Sequence, residues 1–121
     1  MIMKQSEIKP FKEMNIIKIY DYYDMPMCYS FKDENGQLYI ADFVDYEEKG
    51  DIDVWVYLPL TADKLKAYNE NKISLRQIFK DSANEKAIID KENGVGSYLT
   101  TKTVKDLNPD YLPDEDSYLS K

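Results

Sequence analysis

The chain has 121 residues, of which 16 are Lys or Arg and 23 are Asp or Glu, for a formal net charge of −7. That length supports one domain with a single modest core, and the acidic balance, with a sequence pI near 4.6, argues against direct nucleic-acid binding, because such affinity rests on clustered cations. With no histidine and Cys28 as the only cysteine, the chain lacks the side chains for Ser-His-Asp, Cys-His and His-metal chemistry and for an internal disulfide.

No apolar run approaches the roughly 18 residues that would span a bilayer, and the N-terminal MIMKQSEIKPFKEMN has neither the apolar stretch nor the cleavage site of a secretory signal. A cytoplasmic protein with no membrane partner is expected. Residues 1–13 read as an irregular leader interrupted by Pro10. A first strand follows over 14–23, rich in β-branched and aromatic residues, with strict alternation placing Ile17 and Ile19 opposite Ile16, Lys18 and Tyr20. After the Asp24-Met25-Pro26 break, Met27, Tyr29 and Phe31 alternate with Cys28 and Ser30 in a second strand. Asp33-Glu34-Asn35-Gly36 is a hairpin turn signal leading into a third strand over 37–45, where the adjacent Phe43 and Val44 suggest a bulge.

The clearest strand is DIDVWVYLPL at 51–60. Ile52, Val54, Val56 and Leu58 share one face and Asp53, Trp55 and Tyr57 the other, a two-sided pattern that fits a central strand ended by Pro59. The period then becomes helical. Thr61 is placed as an N-cap with Leu60 and Leu65 as a hydrophobic staple, and Ser74 with Gln77 forms a capping box flanked by Ile73 and Ile78. Two short helices are therefore expected over 61–81. Residues 85–90 and 97–104 form a polar hairpin around Glu92-Asn93-Gly94. The remainder, 105–121, is an acidic strap whose Leu107, Tyr111, Leu112, Tyr118 and Leu119 anchor it. The expected fold is one α+β domain: a four-stranded antiparallel meander over 14–60 plus a C-terminal hairpin, packed against two helices.

The segments IYDYYDMPMCYS at 19–30, NGQLYIADFVD at 35–45, VWVYLPLTADKL at 54–65, ISLRQIF at 73–79 and the terminal DYLPDEDSYL resemble a family of uncharacterised small bacterial proteins. The resemblance covers most of the chain after residue 14. It implies no catalytic activity, catalytic residue or cofactor. Lys usage far above Arg, with frequent Asn, Ile and Tyr, independently suggests an AT-rich bacterial or phage genome.

Candidate functional residues concentrate on the hairpin from Asp42 to Asp53. A calcium loop starting at Asp45 fails, because Lys49 and Val56 occupy the fifth and twelfth positions, where oxygen ligands are required. Nor is there a phosphate-cradling glycine loop. What remains is a recognition surface: Asp45, Glu47, Glu48, Asp51 and Asp53 as carboxylates, Trp55 and Tyr57 as aromatic contacts, and the sole arginine, Arg76, as a cation for a carboxylate. These features point to a non-enzymatic protein-binding module or inhibitor, with no cofactor or metal, directed at a partner with a basic surface. A specific form has the carboxylates imitating nucleic-acid phosphates in the groove of a defence or nucleic-acid-processing protein. The alternative is a small-ligand domain with an aromatic pocket beside Trp55. Cys28, inside a strand, reads as a buried small hydrophobe.

Overall fold

The computed structural model describes residues 11–22, 24–94, 96–115 and 117. Six strands form one antiparallel sheet in sequence order: β1 (Asn15–Tyr22), β2 (Pro26–Lys32), β3 (Leu38–Glu47), β4 (Ile52–Pro59), β5 (Lys86–Glu92) and β6 (Ser97–Thr103). Two helices, α1 (Ala62–Asn69) and α2 (Leu75–Asp81), lie in the connection between β4 and β5. The architecture is thus broadly α+β, but it differs from a four-stranded meander with a separate hairpin. β5 pairs directly with β4, from Asp53 opposite Glu92 to Tyr57 opposite Ile88, and so extends the sheet. The expectation of a polar hairpin misread β5, because Ala87 and Ile89 alternate into the core.

β4 is an interior strand, and its two-sided pattern becomes two cores. Val54, Val56 and Leu58 join Ile40, Cys28, Ala87 and Ile89 beneath the helices, where Leu65, Tyr68, Ile78 and Phe79 close the layer. Trp55 and Tyr57 point the opposite way, with Phe31, Ala41 and Phe11. Phe11 is the unexpected member, since it belongs to the stretch read as leader. Its ring meets Phe31, Tyr39 and Tyr57 edge-on at centroid distances of 4.9, 4.7 and 5.3 Å. Edge-to-face pairs of this kind add about 0.5–1.5 kcal/mol each beyond their burial. Residues 1–10 of the expected leader lie outside the described residues.

The helix starts are those the sequence specifies. Thr61 Oγ1 accepts from Lys64 N–H and Ser74 Oγ from Gln77 N–H at 3.0 Å, satisfying donors that a helix start leaves free. The reciprocal half of the capping box does not form. Gln77 Nε2 instead donates to Asp81 one turn on, at 2.8 Å. Asp33 Oδ1 accepts from both Asn35 and Gln37 N–H, and Gly36 takes a φ of 83°, closing the β2–β3 turn. The expected irregularity at Phe43 and Val44 is a register shift between Phe43 and Asp45.

β1 departs from strict alternation. Register shifts fall between Ile16 and Lys18 and between Ile19 and Asp21, so Ile16 and Ile19 oppose Phe31 and Tyr29 on the aromatic side, while Lys18 and Asp21 oppose Ser30 and Cys28. Each extra residue in a bulge resets the period-two count. The C-terminal strap is less extended than expected. It contains 3-10 turns at Val104–Asp106 and Pro109–Tyr111, and Val104, Leu107 and Tyr111 are buried against the helix-side core. Tyr118 and Leu119 lie outside the described residues.

Candidate protein-binding surface at one end of the sheet

Antiparallel register fixes which loops meet. Tyr22 opposite Pro26, Glu47 opposite Ile52 and Glu92 opposite Ser97 close three turns at the same end of the sheet, so residues far apart in sequence share that end. The end holds Asp21 and Asp24 from the first turn, Asp45, Glu47, Glu48, Asp51 and Asp53 from the second, and Glu92 beside the third. Among the described residues of these turns and the strand ends flanking them, Lys49 and Lys91 are the opposing cations. Tyr22 (64% exposed), Met25 (37%) and Tyr46 (47%) stand among the carboxylates.

The backbone is shaped for this display. Asp51 has a φ of 54°, Gly50 of 96° and Asp24 of 61°, left-handed values that Gly adopts freely and Asp tolerates better than most residues. Tyr46 Oη donates to Asp51 Oδ1 at 2.5 Å, and Asp45 Oδ1 accepts from Tyr46 N–H. That phenol contact raises the Tyr46 pKa, first through its hydrogen bond to the carboxylate. Glu47 is held by Lys91 at 2.9 Å, which leaves Asp45, Glu48 and Asp51 as the exposed carboxylates of the turn. Asp53 stands directly opposite Glu92, a like-charge placement that costs stability in a sheet. No three His, Cys, Asp or Glu side chains among the described residues converge as metal ligands.

Three sequence-derived candidates sit elsewhere. Trp55 (6% exposed) and Tyr57 (3%) are buried in the aromatic layer, where Trp55 meets Phe43 edge-on at 5.4 Å. The expectation of two-sided burial for this strand holds, and these rings are walls of the core. Arg76 lies at the start of α2, but its Nη1 donates to the Pro113 carbonyl at 2.8 Å, and its backbone N–H donates to Ser117 Oγ. It fastens the C-terminal strap to the helix.

Behind the acidic end, polar side chains enter the helix-side core. Asp42 opposes Cys28 on β2 and Val56 on β4, in the row otherwise occupied by Ile40 and Val44. Burial, with a smaller contribution from Asp21, pushes its carboxyl up to about 7, while a hydrogen bond from Cys28 partly offsets the shift. Cys28 is buried as expected, and desolvation followed by the neighbouring Asp42 drives its thiol far above the ordinary value. Nearby, Tyr20 Oη lies 3.0 Å from Ser30 Oγ and 2.7 Å from Asn69 Oδ1, tying β1 to α1, and its ring meets Tyr68 edge-on. The signal was present in the sequence: a carboxylate at a core-facing position of an alternating strand. On the aromatic side Asp90 is fully buried, and burial followed by Glu92 and Asp90 pushes the Tyr29 phenol up to about 12.

A family model matches residues 8–118 of this chain. The protein belongs to a family of unknown function, DUF6575. Membership agrees with the expected resemblance to an uncharacterised family, and it places no activity on any residue. No curated protein and no solved structure matches the chain. Among the described residues, no helix is long and apolar enough to cross a membrane.

Proposed function

We propose that this member of the DUF6575 family is a non-enzymatic, acidic protein-binding module whose contact surface is the turn end of the sheet. The observation that carries this reading is the placement of Asp21, Asp24, Asp45, Glu48, Asp51 and Asp53, with exposed Tyr22, Met25 and Tyr46, at one end of the sheet. Carboxylates of one sign steer a basic partner and fix its orientation. Exposed aromatic and thioether side chains among them supply the apolar area that charge alone does not. The partner is accordingly a protein with a basic surface.

In its sharpest form, the proposal makes Asp45, Glu47, Glu48 and Asp51 stand in for nucleic-acid phosphates, so that the module inhibits a defence or nucleic-acid-processing protein by filling its basic groove. Residue usage supports an origin in a bacterium or phage, and the module would then act in the cytoplasm of a bacterial cell. The alternative of an aromatic ligand pocket loses its support, because Trp55 and Tyr57 are committed to the core.

The test compares the wild-type chain, immobilised, with the Asp45→Asn, Glu47→Gln, Glu48→Gln, Asp51→Asn variant. Asn keeps the left-handed backbone that Asp51 requires, so the turn survives. The wild type should retain a basic protein at low salt, release it as salt rises, and lose it to added duplex DNA, while the variant retains none. Equal retention by both chains with the same salt dependence would sink the proposal. Retention that ignores DNA would remove the phosphate-imitating form alone.

A further inference from the structure

At the end of the sheet opposite the acidic turns, α2 carries Arg76 and Lys80 one helical turn apart, on one side of the helix. With Lys105 from the first 3-10 turn they rim a groove of about 270 Å³. Its floor is apolar, with Phe79, Val104 and Leu107 all in the helix-side core. Among the described residues, no carboxylate lines it. Ion pairs among the described residues join Lys64 to Asp81, Lys72 to Glu70 and Lys91 to Glu47, and none of the three rim cations takes part in them.

Like charges at this helical spacing repel, and a third cation across the groove adds to the cost. In a chain of net charge −7, cations left together around an apolar hollow are a local conflict of the kind that marks functional sites. Arg76 is also held in place. Its bond to the Pro113 carbonyl fixes the guanidinium at the rim, and its remaining N–H groups can serve an acceptor in the planar geometry suited to a carboxylate.

We propose that this groove binds an amphipathic carboxylate, its head held by Arg76, Lys80 and Lys105 and its aliphatic tail lying on Phe79, Val104 and Leu107. The volume sits just under the range of about 300–1,000 Å³ typical of drug-sized ligands, which fits a medium-length tail better than a long lipid. The site is separate from the acidic end and stands or falls independently of it.

The full-length chain is titrated with sodium octanoate, decanoate and dodecanoate, and with decanol as the uncharged probe, by calorimetry and by amide NMR shifts. Decanoate should bind with its shifts centred on residues 79–83 and 104–107. Affinity should rise by up to about tenfold for each two methylenes until the floor is filled. The Lys80→Gln, Lys105→Gln double variant should weaken decanoate binding by about tenfold or more. Ala83→Phe, which fills the groove from its partly exposed margin, should abolish binding while leaving the circular dichroism unchanged. The inference is overturned if decanol binds as tightly as decanoate, if the shifts fall elsewhere, if both variants bind like the wild type, or if the groove accepts only an acidic peptide and none of the three carboxylates.

Discussion

Replacing Asp42 by Asn should remove a pH dependence of folding stability that acts in the direction opposite to most carboxylates. Burial raises the Asp42 carboxyl from its ordinary 3.8 to about 7, so the folded chain holds this proton more tightly than the unfolded chain. Stability from this group is therefore fully present below the unfolded value and is lost as pH rises through about 7. The full difference corresponds to about 4 kcal/mol, and partial exposure of Asp42 with relaxation around the charge brings the expected effect to about 2 kcal/mol. Asn keeps the shape and an acceptor for the Cys28 thiol without the charge. Urea unfolding followed by Trp55 fluorescence, on both chains from acid to mildly alkaline pH, isolates the contribution of Asp42 and the groups coupled to it, chiefly Cys28 and Asp21, because titrating groups elsewhere cancel in the difference. The two chains should be close in stability under acid conditions, and the Asp42→Asn variant should gain about 2 kcal/mol over the wild type above neutrality. A stability difference that stays constant across the range would refute a buried, proton-holding carboxyl at this position.

The cores and caps give further expectations. Phe31→Ala deletes a fully buried ring stacked on Tyr39 at 5.3 Å and should cost about 3–5 kcal/mol in denaturant unfolding. Ser74→Ala removes the acceptor for Gln77 N–H and should cost about 1 kcal/mol, with no change in the fluorescence of the distant Trp55 layer. Gly36→Ala meets open space but must hold a φ of 83°, so a cost of about 1 kcal/mol is conformational in origin. Arg76→Gln should speed amide exchange at Leu75 and Arg76, whose N–H groups donate to Ser117, while leaving exchange in β4 unaltered.

The parts of the fold legible in the sequence were those where one local pattern decides the outcome. Ile52 to Pro59 announced an interior strand because both of its faces are apolar, and Thr61 and Ser74 announced helix starts because a hydroxyl there satisfies free backbone donors. The bulge beside Val44 showed itself as two adjacent apolar residues. Long-range pairing was not legible in the same way. Ala87 and Ile89 identify a core strand only once β4 is known to lie beside it, and two bulges in β1 reassign Ile16 and Ile19 without any distinctive residue to mark them. Phe11 is a lone aromatic in a polar stretch, and nothing local says that a layer of Phe31, Tyr39 and Tyr57 awaits it.

The candidate surface was half legible for the same reason. Asp45, Glu48, Asp51 and Asp53 stand together in the chain, but Asp21, Asp24, Tyr22 and Met25 join them only through strand register. Trp55 and Tyr57 drew attention by residue type, which does not distinguish a recognition ring from a core ring. Arg76 raised a valid question about a charge at a helix start, and the Pro113 carbonyl is part of its answer.

Hydrogen exchange of the complex with a captured partner tests most directly the claim that the turn end of the sheet is the binding surface. Protection on binding should concentrate at residues 21–26 and 45–53, the two turns that carry the carboxylates with Tyr22, Met25 and Tyr46. Protection confined to β6, α2 or the C-terminal strap, with those two turns exchanging as in the free chain, would contradict it.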